Sequence, residues 1–391
     1  MNPLRNGWDK YQLIRSRFIN NFYFSGRVAV EIVPDVGGNE ITFGDQTIYM
    51  GLALIAFSAE MALLRRAGVD ASDARRLVKE LLDGIEELER QANSRFGSSD
   101  ANPDGLFARD DITGPTDPRL GGRFTTVNSD WQHPEKENAS PSGDQVFGLM
   151  MGLHSVVKLS GDDTFVQQSR GISSRLFEYA RRTDFILQLP NGNPTRRGSD
   201  MRWLASLANG LNKAITGVDR FRDSHIRIEG FPIPLNAVAA LWSDSTTPAT
   251  IAELAGRTLH VPIINKDFEL NSSALHLLLM ALSASEVWTQ GDLELVAMRC
   301  HHHLSAMLYA DDHGTLPRAF DVAAIDQILD ACPDGGPRAG LNPASGWAHD
   351  DRWIRCTDIF KPNKGNAAYN GLDWLVLCNC RRLVSGEVGV E

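Results

Sequence analysis

Gly44-Asp45-Gln46 leads into Met50-Gly51-Leu52, and 99 residues further on Gly143-Asp144-Gln145 leads into Met151-Gly152-Leu153. The first stretch continues to Arg66 with Ala, Leu, Ile and Met nearly all round, the pattern of a helix buried on most of its faces. The second, Gly143 to Leu159, is mostly apolar as well. The helix after the first copy differs: from Ser72 to Phe96, Leu77, Leu81, Ile85 and Leu88 make one stripe against Arg, Lys and Glu, with a start signal at Val69-Asp70-Ala71-Ser72. That is a half-exposed outer helix behind a buried inner one. The spacing is too long for one helical-repeat unit and fits two hairpins plus a functional loop.

The same contrast recurs along the chain. Asp163 to Arg182 is amphipathic, Asp200 to Ile215 is rich in Leu and Ala, and Asn271 to Ser285 is apolar and followed by Asp292 to Tyr309 as its outer partner. Asn370 to Val384 closes the series, and an amphipathic helix from about Trp8 to Asn21 opens it. Two long connections, Gly97 to Ser142 and Asp311 to Ala368, are rich in Gly, Pro, Asp, Trp and His; each precedes an inner helix, so both are expected at one end of the molecule. A short strand over Gly122 to Asn128 and a small hairpin from Arg27 to Val33 and Glu40 to Phe43 are the β-structure expected.

Composition narrows the partners. The 391 residues carry a net charge of −10 without a Lys/Arg-rich run, so no nucleic-acid partner is expected. The first ten residues have no apolar core of a secretory signal, and Ala274 to Ala284 is too short to span a bilayer. No membrane partner is expected, and a soluble cytoplasmic protein is the simplest reading. A secreted or periplasmic one is the alternative should a signal precede the chain. Cys300, Cys332, Cys356, Cys378 and Cys380 are odd in number and suggest neither disulfides nor a zinc site. His301-His302-His303 fall about 100° apart on a helix and cannot share one ion, so neither metal nor cofactor is expected. The oligomeric state is not legible.

Alternating inner and outer helices, with Asp45, Asp144 and Asp200 at inner-helix starts, resemble the α/α toroids of carbohydrate-active enzymes: six-hairpin glycoside hydrolases, polysaccharide lyases and sugar epimerases. The resemblance implies an all-α fold, a barrel of helical hairpins in two layers forming a single domain over 1–391, with the site where the inner helices begin. It implies an oligosaccharide or polysaccharide substrate.

The chemistry-bearing residues gather in that loop and at those starts. Glycoside hydrolysis requires one protonated and one ionised carboxyl. Adjacent Asp110 and Asp111 diverge, so one of them is expected to pair with Asp144, Asp45 or Glu137. Asp111 or Asp110 is expected as general acid, with Asp111 holding a proton near neutral pH, and Asp144 as base. An Asp at a helix start also serves simply as a cap. Arg109, Trp131, His133, Gln145, Arg202, Trp203, Trp347, Arg352, Asn370 and Asp373 are candidates for binding sugar through guanidinium, indole or amide groups. The alternatives are a polysaccharide lyase, in which His133 or Tyr369 abstracts a proton while Arg109 or Arg202 neutralises the substrate carboxylate, a sugar isomerase, a non-catalytic carbohydrate-binding protein and a non-sugar cyclase.

Overall fold

A computed structural model describes residues 3–35, 38–97, 103–195, 199–202, 205–218, 225–228, 231–234, 329–330, 332 and 368–385. The order is α1 (Pro3–Asn21), β1 (Tyr23–Phe24), β2 (Arg27–Val28), β3 (Glu31–Asp35), β4 (Gly38–Thr42), α2 (Gln46–Arg66), α3 (Ser72–Phe96), β5 (Thr126–Asn128), α4 (Gly143–Leu159) and α5 (Asp163–Arg182). Then come α6 (Ala205–Thr216), β6 (His225–Ile228), β7 (Phe231–Pro234), β8 (Ala368–Tyr369) and α7 (Leu372–Ser385).

Helix α2 is the centre of the packing, because its apolar residues cover its whole circumference; Leu54, Ala56 and Phe57 are fully buried. It meets α4 through glycine. A Cβ placed on Gly51 would stand 2.2 Å from the Gly148 carbonyl oxygen, so only hydrogen fits between the two backbones. Further along, Arg65 donates to the Leu159 carbonyl at 2.6 Å. Numbers rise together along both helices, so they run parallel and start at the same end. Helix α7 flanks α2 in the same sense, with Asn379 donating to the Ala56 carbonyl at 2.9 Å and Arg66 to that of Leu383 at 3.1 Å. Antiparallel to these run α1, α3 and α5. Their stripes face inward, so that Leu77, Leu81 and Ile85 are buried while Arg76 and Lys79 stay exposed. A buried polar knot joins the layers: Tyr11 and Arg15 of α1 both bond Glu60 of α2, at 2.8–2.9 Å, and Asn379 of α7 donates to the Tyr11 hydroxyl at 2.9 Å.

Small sheets hold the helix starts. The larger has the order β5-β4-β3-β8, antiparallel from β4 to β3 to β8 and parallel between β4 and β5. Strand β4 delivers the chain to α2, and β8 delivers it to α7. The second pairing joins β1 to β2, and β6 pairs β7 elsewhere.

This corrects the expected all-α toroid. Helix accounts for 60% and strand for 10% of the described part, with small sheets built in, and a closed ring of hairpins is not shown. The inner helix expected from Asp200 begins only at Ala205, because Asp200 forms a bridge with Ile186 instead. The pair expected at Asn271 to Ser285 and Asp292 to Tyr309 lies outside the described residues. Helix α2 is long and apolar enough to cross a membrane by composition; 89% of its most apolar window is buried in the protein.

The glycine contact gives a direct test. Gly51→Ala should lower the midpoint of urea unfolding, with a cost of about 1–3 kcal/mol from overpacking against backbone. Gly171→Ala in α5, where the new methyl meets only the end of the Arg175 side chain at 3.5 Å, should be neutral or stabilising. Equal midpoints for the two variants would remove the close packing of α2 on α4.

Candidate functional site

Residues 103–142 lead from α3 across the starts of α2 and α4 through bends and three short 3-10 turns. Arg109 is 5% exposed and points to the helix starts. Its guanidinium donates to Asp130 at 2.8 Å, to the Ser142 hydroxyl at 3.2 Å, to the Gly44 carbonyl at 2.8 Å and to Asp45 at 2.7 Å. One side chain therefore ties the loop to the beginnings of both parallel helices. Its donors are engaged inside the protein, so the expected hold on a substrate carboxylate has no free donor set here.

Asp110 is fully buried. Its carboxyl accepts from the Ser129 hydroxyl, from the Asp130 backbone N–H at 2.8 Å and from that of Trp131 at 3.3 Å. It thereby fixes the short 3-10 turn that carries Trp131. Burial pushes the carboxyl up to about 7, with the Asp130 charge adding to the rise and the Ser129 hydrogen bond opposing it.

Asp111 turns the other way, into a pair with Arg27 at 2.8 and 2.6 Å, and also receives Arg119 at 2.9 Å. Burial favours its protonated form, but the hydrogen bonds and charge of Arg27, reinforced by Arg119, outweigh it and hold the carboxyl below its ordinary range. The expected proton on Asp111 is thus reversed. Of the two neighbours, Asp110 holds it, and the cause is pairing that the sequence does not display.

On the Asp111 side lies an open groove of about 660 Å³ between the β1–β2 turn, α3 and the loop. Its walls bring Arg27, Arg119, Glu80, Glu87, Asp111 and Trp131 together. The indole is part-buried, with the Arg95 guanidinium 4.3 Å from the ring centre on one face.

The other candidates scatter. Asp45 sits at the N-cap position of α2 yet makes no capping bond. Ser142 caps α4 in a capping box with Gln145, whose amide oxygen accepts from the Ser142 N–H at 3.3 Å, so Gln145 serves the helix. Asn370 is buried, accepts from the Leu372 N–H at 3.0 Å and donates to the Ala29 carbonyl at 3.1 Å, which closes α7 onto the sheet. Arg202 pairs with Asp200 at 2.9 Å. His133 is exposed and Glu137 half-buried in the 3-10 turn before Ser140. The side chains of Asp144 and Asp373, and all of Trp203, Trp347, Arg352 and His301 to His303, lie outside the described residues.

Sequence reading missed Arg27, Arg119, Ser129 and Asp130. Only Arg119 had a local signal, the Asp117-Pro118-Arg119 turn in which Asp117 accepts from the Arg119 N–H at 3.1 Å. Among the described residues, no group of three or more His, Cys, Asp or Glu is placed to hold a metal ion. Comparison with protein families, characterised proteins and solved structures finds no significant match.

Two outcomes follow from the loop. Asp110 is raised from 3.8 to about 7, so its contribution to stability is full below about pH 4 and is lost as pH rises through about 7. Thermal melts should show that decline over pH 4–7, and Asp110→Asn should flatten it; a slope unchanged in the variant would refute the assignment. Arg109→Met strands Asp130 and Asp45, and its loss should approach the 3–5 kcal/mol typical of breaking a buried pair, read by urea unfolding.

Proposed function

We propose that the protein is a carbohydrate-active enzyme, a glycoside hydrolase that takes an uncharged oligosaccharide or polysaccharide in the groove beside Trp131. The observation that supports this is the pairing of the groove's own charges. Arg27 and Arg119 are matched with Asp111, Arg90 with Glu87, Arg76 with Glu80 and Lys79 with Asp83. Such a wall offers hydrogen-bond donors and acceptors in abundance without an unmatched guanidinium. A hydroxyl-rich neutral ligand exchanges water for these groups, and the indole supplies an apolar face for a sugar ring.

A uronate-bearing ligand, the substrate a lyase would need, has to displace an internal carboxylate to reach Arg27 or Arg119. That favours a neutral sugar. For hydrolysis, Asp111 is suited to the ionised role, since two guanidiniums keep it charged. Asp110 has a proton near neutral pH but no solvent contact, which makes it a support for the turn.

The test is a panel of neutral and uronate-containing glycans, with binding read by calorimetry and turnover by release of reducing ends. Neutral glycans should bind, and Trp131→Ala should weaken them about tenfold, the order expected for losing one aromatic contact. Preference for uronates, or a Trp131→Ala protein that binds as well as the wild type, would sink this reading. Binding without turnover would leave a carbohydrate-binding protein.

A further inference from the structure

Beside Asp45, the first two residues of α2, Gln46 and Thr47, carry polar side-chain groups left unmatched among the described residues. Asp45 occupies the N-cap position with φ −119° and ψ 28° and leaves the helix uncapped by its side chain. Its carboxylate is oriented by Arg109, which meets one oxygen, Oδ1, at 2.7 Å. Gln46 is fully buried, and neither its amide oxygen nor its amide nitrogen has a hydrogen-bond partner among the described residues. Thr47 is equally buried, and its hydroxyl too has no partner among them. Side chains in the first turn of a helix lean back toward its N-terminus, so Gln46 and Thr47 lean toward the end where Asp45 lies.

Leaving such groups unmatched is costly. A buried amide or hydroxyl without a partner costs the fold free energy, and replacing it with an apolar group of the same shape is neutral or favourable. The fold nevertheless holds two adjacent hydrogen-bonding residues in this condition, beside the Asp45 carboxylate, which a buried guanidinium fixes in place. Polar groups kept at a loss in stability call for a partner that the fold itself does not supply.

We propose that Asp45, Gln46 and Thr47 form a hydroxyl-binding subsite at the start of α2, distinct from the groove beside Trp131, and this rests on the carbohydrate reading above. Asp45 accepts from a ligand hydroxyl. Gln46 both donates and accepts, as adjacent hydroxyls of a sugar ring require, and Thr47 completes the set. The subsite selects for a pair of neighbouring neutral hydroxyls. The groove contributes affinity through stacking and leaves that selection to the helix start.

The experiment compares Gln46→Leu, Thr47→Val and Trp131→Ala, each assayed by thermal melting and by calorimetric titration with the neutral oligosaccharides of the panel. The expected result for Gln46→Leu and Thr47→Val is a melting temperature equal to or above wild type, with glycan affinity reduced at least tenfold. A rise in melting temperature with affinity unchanged would overturn the subsite, because the groups would then be idle. The two readings separate cleanly. Loss of binding in Trp131→Ala alone keeps the groove and refutes the subsite, whereas loss in Gln46→Leu and Thr47→Val alone keeps the subsite and refutes the groove. Should either variant unfold, Gln46→Met and Thr47→Ala, which also remove the hydrogen-bonding groups, replace it, and wild-type affinity in both would overturn the proposal. A wild-type protein that binds none of the neutral glycans overturns both readings.

Discussion

The guanidinium of Arg109 is the joint on which the described structure hangs. Two helices that begin side by side and point the same way present their positive ends to one another, an arrangement that needs nearby negative charge. Asp45 and Asp130 supply it, and Arg109 lies between them at 2.7 and 2.8 Å while also holding the Gly44 carbonyl and the Ser142 hydroxyl. Without that cation, two carboxylates in a poorly solvated corner would repel each other. With it, the loop, the turn before α2 and the cap of α4 become one unit. Asp110 and Asp111, next along the loop that Arg109 pins, then turn to different partners, Ser129 and Arg27.

The same backbone separates support from surface. On one side of the loop, Asp110 is sealed under the Ser129–Trp131 turn. On the other, Asp111 meets Arg27 and Arg119 in the groove wall. Two residues of one chemical type thus receive opposite protonation because one is desolvated with few charges to help it and the other is desolvated between two cations. The groove is electrically satisfied before any ligand arrives, while among the described residues the Gln46 and Thr47 side chains at the start of α2 lack hydrogen-bond partners.

Much of the helical framework was legible because it depends on local pattern. The stripe of Leu77, Leu81, Ile85 and Leu88 gave α3 its limits of Ser72 and Phe96, and the apolar run after Gly143 gave those of α4. What could not be read was pairing at long range. Strand β3 finds β8 more than three hundred residues away, and neither has a period long enough to register. The same holds for charge. Nothing near Asp111 in the sequence announces Arg27, 84 residues earlier, and it is that pairing which sets the proton state of the aspartate. The Asp45 side chain makes no capping bond to α2, and the N-cap position of α4 belongs to Ser142, one residue before the Gly-Asp-Gln motif.

The contact of Gly51 with Gly148 also has a mechanical meaning. Gly152 sits one turn beyond Gly148 on α4, and a Cβ there would come within 2.7 Å of the Gly51 carbonyl oxygen. Bare backbone on both helices therefore interlocks over a full turn. Sliding either helix by one residue would drive Leu149 or Leu52 into a gap with room only for hydrogen. Such a slot resists shear and permits little but rocking about the contact. Displacements in the surrounding loops are consequently not transmitted along α2 and α4, and the spacing between Asp45 and the start of α4 behaves as a fixed gauge length.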